Sequence, residues 1–287
     1  MNMRNLRIVI VIFFVVVAVL FTGAYIHERM ITDYHAPIIR VDSDTLQIPV
    51  TATDEDLLAG MSAYDNLDGD VTDTLVVVSK TKFISKGVLR VNYAAFDENR
   101  NVGTYSREVT YTDYVSPHFR MNAPLRFAAG GSAPDYMEQI TAEDCLDGDI
   151  TSQIKVTTGR SVAISDSVTQ QQINLQVTNS AGDSAVLEMV VSREDYSTLN
   201  RPAPALRDYI LYVKAGGRLN LQDNVIGVWA GGNVRTFAEA GFDPETDVSF
   251  DAGAVRYSVP GAYTVIYSLS REGEVFGTAR LIVVVEE

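Results

Sequence analysis

The sequence predicts an all-β protein in which an N-terminal transmembrane helix is followed by three tandem β-sandwiches. Three observations lead to this prediction. An uncharged apolar run lies near the start of the chain, two short motifs recur about 80 residues apart, and each repeat closes with alternating apolar and polar residues. The chain of 287 residues is long enough to form several separate cores.

The first element is the apolar run of residues 8–26, which contains no charged side chain. Its 19 residues come close to the roughly 20 that a helix needs to cross the hydrocarbon core of a bilayer. Arg4 and Arg7 precede it, and a positive flank tends to stay in the cytoplasm. We therefore expect residues 1–29 to be a cytoplasmic stub and signal anchor, with the membrane contacted through residues 8–26. The protein would be single-pass in the cell membrane, with its C-terminal domains extracellular. A cleaved signal peptide is the alternative.

Composition limits the classes of function. The apolar fraction of 46% is too high for a disordered chain, and the net charge of −14 disfavours nucleic acid as a partner. A single cysteine excludes an intrachain disulfide and a cysteine-built metal site. With three histidines and no recognisable catalytic motif, the sequence indicates a protein that is not an enzyme.

Two motifs define the repeats. Residues 33–37 (DYHAP) return 80 residues later as 113–117 (DYVSP), and the same Asp-Tyr pair appears again at 195–196. Between them, residues 63–72 (AYDNLDGDVT) return 79 residues later as 142–151 (AEDCLDGDIT). Two independent motifs with nearly one period indicate duplication. The predicted domains are residues 30–112, 113–194 and 195–287.

Each repeat ends in a predicted hairpin. Apolar residues alternate with polar ones at 89–95, 173–177 and 263–269, the pattern of a strand with one buried face. Turn residues follow at 98–101, 180–183 and 271–273. Many short strands in units of about 80 residues favour β-sandwiches. The best helical candidate after residue 30 is the short stretch 234–240.

The pattern Ala-x-Asp-Asn-x-Asp-Gly-Asp-Val-Thr, followed by a Val-x-Tyr-x-Ala-x-Asp strand, resembles the bacterial immunoglobulin-like repeats of Gram-positive surface proteins, which are similar to hyalin-type repeats. The late turn of that family, usually Asp-x-Ala-Gly-Asn, corresponds to residues 97–101 (DENRN) and 179–183 (NSAGD). The third unit lacks Asp-Gly-Asp and is a divergent copy. The resemblance implies three immunoglobulin-like sandwiches that serve as an exported spacer or adhesive module without enzymatic activity.

The acidic motifs are candidate calcium sites. In an immunoglobulin-like topology the motif, the late turn and the incoming linker meet at one end of each sandwich. Asp33 is therefore expected near Asp65, Asp70 and Asp97, and Asp113 near Asp144, Asp149 and Asn179. Hard oxygen ligands from three loops suit calcium. The alternative is a structural Asp-Gly-Asp turn without metal. The full candidate set is Asp33, Asp65, Asp68, Asp70, Asp97, Asp113, Asp144, Asp147 and Asp149.

Trp229 is a candidate ligand-binding residue in the third unit, where it and nearby phenylalanines could form an aromatic platform for a sugar or peptide. Core packing is the competing interpretation. Two functions remain open from sequence. The first is a membrane-anchored extracellular spacer, adhesion or protein-interaction module. The second is an accessory glycan-binding or envelope-assembly component that binds through domain 3.

Overall fold

The computed structural model describes residues 3–31, 33–131 and 135–287. It begins with one long helix, α1 (Met3–Ile31). Within α1, the window Asn5–Glu28 has a mean hydropathy of 2.9 and none of it is buried against the rest of the protein. By length and composition, α1 is therefore able to cross a membrane.

The first sandwich consists of a three-stranded sheet in the order β1-β3-β4 and a four-stranded sheet in the order β2-β7-β6-β5. Strand β2 pairs in parallel with β7, and the other pairs are antiparallel. Its elements are β1 (Ile38–Val41), β2 (Thr45–Ile48), the single-turn helix α2 (Asp54–Leu57), β3 (Met61–Asp65), β4 (Gly69–Asp70), β5 (Val76–Lys80), β6 (Val88–Phe96) and β7 (Val102–Tyr111).

The second sandwich repeats this plan, with sheets in the orders β11-β10-β8 and β12-β13-β14-β9. Strand β9 pairs in parallel with β14, as β2 does with β7. Its strands are β8 (His118–Met121), β9 (Arg126–Ala128), β10 (Ile140–Asp144), β11 (Gly148–Asp149), β12 (Lys155–Ser165), β13 (Val168–Thr178) and β14 (Ser184–Glu194).

The third sandwich has the same division, with sheets in the orders β15-β17-β18 and β16-β21-β20-β19. Strand β16 again pairs in parallel with the last strand, β21. Its elements are α3 (Tyr196–Leu199), β15 (Ala203–Leu206), β16 (Ile210–Lys214), β17 (Val225–Ala230), β18 (Asn233–Arg235), α4 (Phe237–Ala240), β19 (Val248–Asp251), β20 (Gly261–Arg271) and β21 (Glu274–Glu286).

The prediction of an all-β fold with three immunoglobulin-like sandwiches behind an apolar helix is confirmed. The third sandwich keeps the strand order of the first two, although its sequence lacks the Asp-Gly-Asp motif. The three predicted hairpins are β6–β7, β13–β14 and β20–β21. Their inward residues are buried, as the alternation requires, and Val91, Ile173 and Val265 are each fully shielded from solvent. Of the helical candidate 234–240, only Phe237–Ala240 form a helix, α4, because residues 234–235 belong to strand β18.

The chain divides into two compact units, Met1–Tyr114 and Val115–Glu287. The first unit has its own core, built around side chains such as Leu57, Val91 and Tyr93. The second and third sandwiches lie together in the second unit, where one continuous apolar cluster runs from Phe119 to Val285. The prediction of a separate core for each sandwich is therefore wrong for the last two, because the second and third sandwiches share one core.

Candidate metal centre

Three aspartates converge at one end of the first sandwich. Asp33 lies in the segment before β1, Asp65 is the last residue of β3, and Asp97 follows β6 at the start of the hairpin turn. One carboxylate oxygen from each lies within 4.8 Å of the other two, and all three residues are buried. The cluster therefore joins three segments that are distant in sequence.

The turn after β3 uses one oxygen of Asp65 and leaves the other free. Asp65 Oδ1 accepts hydrogen bonds from the backbone N–H groups of Leu67 at 2.8 Å and Asp68 at 3.1 Å. This is the aspartate turn expected from the motif, closed by Gly69 at a φ of 76°. Asp65 is only 1% exposed, yet its Oδ2 atom has no hydrogen-bond partner. A buried carboxylate oxygen without a partner is energetically costly.

In Asp33, as in Asp65, one carboxylate oxygen is hydrogen-bonded and the other is not. Its Oδ1 atom accepts hydrogen bonds from the backbone N–H and the ring Nδ1 of His35, both at 2.9 Å, and these bonds lower the pKa of the Asp33 carboxyl. Its Oδ2 atom has no hydrogen-bond partner, and Asp33 is buried, with only 7% of its surface exposed. The Asp33 carbonyl accepts a hydrogen bond from Asn101 Nδ2 at 3.1 Å, which ties this segment to the β6–β7 hairpin.

Asp97 is held by the hairpin that it opens. Its Oδ1 accepts from the backbone N–H of Asn101 at 2.7 Å, and its Oδ2 accepts from Asn101 Nδ2 at 2.6 Å. Among the described residues, no lysine or arginine forms an ion pair with Asp33, Asp65 or Asp97, and His35 is the ionisable partner found. Three ionised carboxylates at this spacing repel one another.

Among the other predicted ligands, Asp68 and Asp70 belong to the first sandwich, and Asp113 is the linker residue predicted for the site of the second sandwich. Asp68 Oδ2 accepts from the backbone N–H of Glu98 at 2.8 Å, and so links the acidic turn to the hairpin. Asp70 Oδ1 accepts from the Thr72 N–H at 3.0 Å, and its hydrogen bonds with Thr72 lower its pKa. Asp113 Oδ1 accepts from the Val50 N–H at 2.7 Å. These three carboxylates act as hydrogen-bond acceptors for loop backbone.

The second sandwich contains the same turn with one decisive difference. Asp144 Oδ1 accepts from the N–H groups of Leu146 and Asp147, as Asp65 does in its own turn. Its Oδ2, however, accepts from Asn179 Nδ2 at 3.1 Å, because asparagine occupies the position of Asp97. An amide thus satisfies the oxygen that is free in the first sandwich.

The remaining candidates of the second sandwich also contact loop backbone. Asp147 accepts from the N–H and the hydroxyl of Ser180 at 2.6 and 2.7 Å. Asp149 Oδ1 accepts from the Thr151 N–H at 2.9 Å, and its hydrogen bonds with Thr151 lower its pKa. The structural-turn interpretation fits this copy.

Sequence reasoning assigned no role to two polar residues of the first sandwich, Asn101 beside the cluster and Arg107 in the middle of β7. Asn101 holds both Asp97 and the Asp33 carbonyl, and its only sequence signal is its place in the hairpin turn. Arg107 interrupts the inward row of β7 and is buried, donating to the carbonyl oxygens of Leu57 and of Ala59, the latter at 3.0 Å. The sequence signal for Arg107 was its position, a charged residue on the inward face of a strand.

Trp229 lies on β17 and is partly buried. Its indole N–H donates to the Tyr209 hydroxyl at 2.9 Å, and Tyr209 is 1% exposed. The polar atom of the indole is therefore engaged inside the protein, and any ligand would meet only a ring face.

A cavity of about 300 Å³ lies in the second unit, between the second and third sandwiches. Arg126 and Glu194 form a bidentate pair at its wall, with nitrogen–oxygen distances of 2.9 and 2.6 Å. Arg201 and Tyr209 add polar groups, and Met189 and Phe276 add apolar surface. This mixture of charged and apolar lining suits a polar organic ligand.

No protein-family model matches the chain. A curated relative is the "Uncharacterized 81.3 kDa protein" of Acholeplasma phage L2, which is 24% identical over 181 residues. That match covers 60% of this chain and 24% of the phage protein, so the chain spans about a quarter of its relative.

Similar solved structures include domains of Clostridium perfringens ZmpB and the extracellular domains of protocadherins. The CBM51-2 domain in complex with GlcNAc and INT domains from Clostridium perfringens ZmpB is 17% identical, with coverage of 54% of this chain and 41% of that one, at a TM-score of 0.22. Mouse Protocadherin-24 EC1-3 is 12% identical, with coverage of 84% and 95%, at a TM-score of 0.20. These similarities assign neither a family nor a function to the chain.

Proposed function

We propose that this chain is a membrane-anchored extracellular protein whose immunoglobulin-like sandwiches act as a spacer, adhesion or protein-interaction module. The observation that carries the proposal is α1, an apolar helix that buries none of its membrane-length window and leads directly into repeated β-sandwiches. So large an exposed apolar surface requires a bilayer or a partner. Arg4 and Arg7 before the apolar run of residues 8–26 favour a cytoplasmic N-terminus.

The single cysteine provides a direct test of this topology. Cys145 is exposed in the second sandwich, so a membrane-impermeant maleimide added to intact cells is expected to label it. A matched control combines Cys145→Ser with Asn5→Cys, which moves the thiol to the other side of the membrane and should be labelled only after lysis. If the wild type, like the control variant, were labelled only after lysis, the second sandwich would not be extracellular.

Strand β12 (Lys155–Ser165) supports a role in protein interaction. It forms one edge of its sheet, and its residues are exposed apart from the partly buried Val156. Its second backbone edge can accept a strand from a partner. Breaks in register with β13 near Thr158 and Ala163 interrupt the regular edge, a feature that limits uncontrolled pairing.

Glycan binding is the second candidate function, and the cavity between the second and third sandwiches favours it. A sugar could reach the charged groups of Arg126, Glu194 and Arg201 there. If this alternative holds, the full wild-type chain should bind at least one glycan on an array. The Arg201→Ala variant should lose that binding, and the control Arg235→Ala should keep it. The Trp229→Phe variant asks whether the indole also contributes. An array on which the wild type retains nothing would eliminate the alternative.

A further inference from the structure

We propose that Asp33, Asp65 and Asp97 bind one calcium ion, which fastens the segment after α1 to the first sandwich. The second sandwich provides an internal comparison and is not expected to form the equivalent site. This assignment goes beyond the proposed function, because an anchored interaction module needs no metal. Failure of either proposal leaves the other testable.

The geometry admits a cation at the centre of the cluster. Because the three oxygens lie within 4.8 Å of one another, a central ion is at most about 2.8 Å from each, close to the calcium–oxygen distances of about 2.3–2.6 Å. The unpartnered Oδ2 atoms of Asp33 and Asp65 are the oxygens that their neighbouring turns leave free. Water molecules would complete the six to eight oxygens that calcium takes.

Charge gives the second reason. Three buried carboxylates without a lysine or arginine partner are unfavourable unless a cation or a proton compensates them. In the second sandwich, Asn179 removes one of these charges and donates to the oxygen that would otherwise be free. The chain thus contains one turn completed by an amide and one that lacks such a donor.

The consequence is mechanical. Asp33 lies two residues beyond the end of α1, and Asp65 and Asp97 belong to β3 and to the β6–β7 hairpin. An ion shared by the three fixes the short link between the helix and the folded domain. Calcium would therefore stiffen the chain where it leaves the membrane.

The test uses the full chain in detergent micelles, stripped of metal and titrated with calcium or magnesium chloride by calorimetry. We expect about one calcium ion per chain, with a dissociation constant of about 1 mM or below, and weaker binding of magnesium. Asp65→Asn keeps the oxygen that caps the turn and replaces the free oxygen by an amide. It should weaken calcium binding at least about tenfold, as should Asp97→Asn, since ligand charge sets the affinity.

The control is Asp73→Asn, which removes the same charge from an exposed residue of the same domain and should leave calcium affinity unchanged. Folding is checked without metal, where Asp65→Asn should melt no lower than the wild type because it keeps the oxygen that caps the turn and relieves repulsion. Absence of calcium binding to the wild type at about 10 mM, tighter binding of magnesium, or equal binding by Asp65→Asn and Asp73→Asn would overturn the proposal.

Discussion

Replacing Gly103 with alanine is expected to destabilise the first sandwich by about 1–3 kcal/mol, the usual cost of overpacking. Gly103 lies on β7, and a Cβ atom there would stand 2.0 Å from the Pro37 carbonyl oxygen and 2.9 Å from its carbon. No flexible side chain can yield, because the obstacle is backbone. The segment that carries Asp33 must move away from β7.

The measurement exploits the position of the single tryptophan. Trp229 reports only on the unit Val115–Glu287, whereas calorimetry sees both units. For a domain of this size, a loss of 1–3 kcal/mol lowers the melting temperature by about 5–20 °C. We expect that shift in the calorimetric transition of the first unit, with the transition monitored by Trp229 fluorescence unchanged.

Gly131→Ala is the matched control, because a Cβ atom at Gly131 makes an ordinary contact of 3.5 Å. Unchanged melting of Gly103→Ala would mean that residues 33–37 do not lie against β7. In that event Asp33 would also lose its place in the metal cluster. The two proposals about this segment therefore stand on one packing contact that can be tested without metal.

The sandwiches were predictable because a strand with one buried face must alternate. Val91, Tyr93 and Ile173 are apolar in sequence and buried in the structure for that single reason. The parallel pairing of β2 with β7 left no such signal, since pairing partners depend on contacts between distant segments. Arg107 shows the limit of the rule, because its inward position is visible in sequence but its acceptors at Leu57 and Ala59 are not.

The cluster was predictable only in part. Topology brings the incoming segment, the acidic turn and the hairpin to one end, and this places Asp33 near Asp65 and Asp97. It does not say which way each carboxylate of the turn points. Asp70 bonds to the Thr72 N–H within its own turn, which local turn geometry decides, whereas Asp68 bonds to the Glu98 N–H of the distant hairpin.

The union of the second and third sandwiches could not be predicted from repeat spacing. It depends on individual residues whose backbone groups bond where the two domains join. Tyr209 is the clearest case, because its backbone N–H donates to the Met121 carbonyl at 3.0 Å and its own carbonyl accepts from the Ile282 N–H at 2.9 Å. Nothing in a period of 80 residues specifies these bonds.

Tyr209→Ala is expected to destabilise the second unit by about 3–5 kcal/mol, the range for removing a buried aromatic side chain. The ring belongs to the apolar cluster that spans both sandwiches, and its burial raises the pKa of the phenol, which therefore stays protonated. Its oxygen accepts hydrogen bonds from Trp229 Nε1 at 2.9 Å and the Leu206 N–H at 3.3 Å. The variant thus loses both packing and two acceptor contacts.

Tyr209→Phe separates these two losses. It keeps the ring and leaves the two donors without their acceptor, so we expect it to cost about 1–3 kcal/mol. Because the two sandwiches share one core, both should melt together in Tyr209→Phe and in Tyr209→Ala, as followed by hydrogen exchange of peptides from β13 and from β20. If β13 kept wild-type protection while β20 lost it in Tyr209→Ala, the shared core would not couple the two domains. The position of Tyr209 would then be a feature of the third sandwich alone.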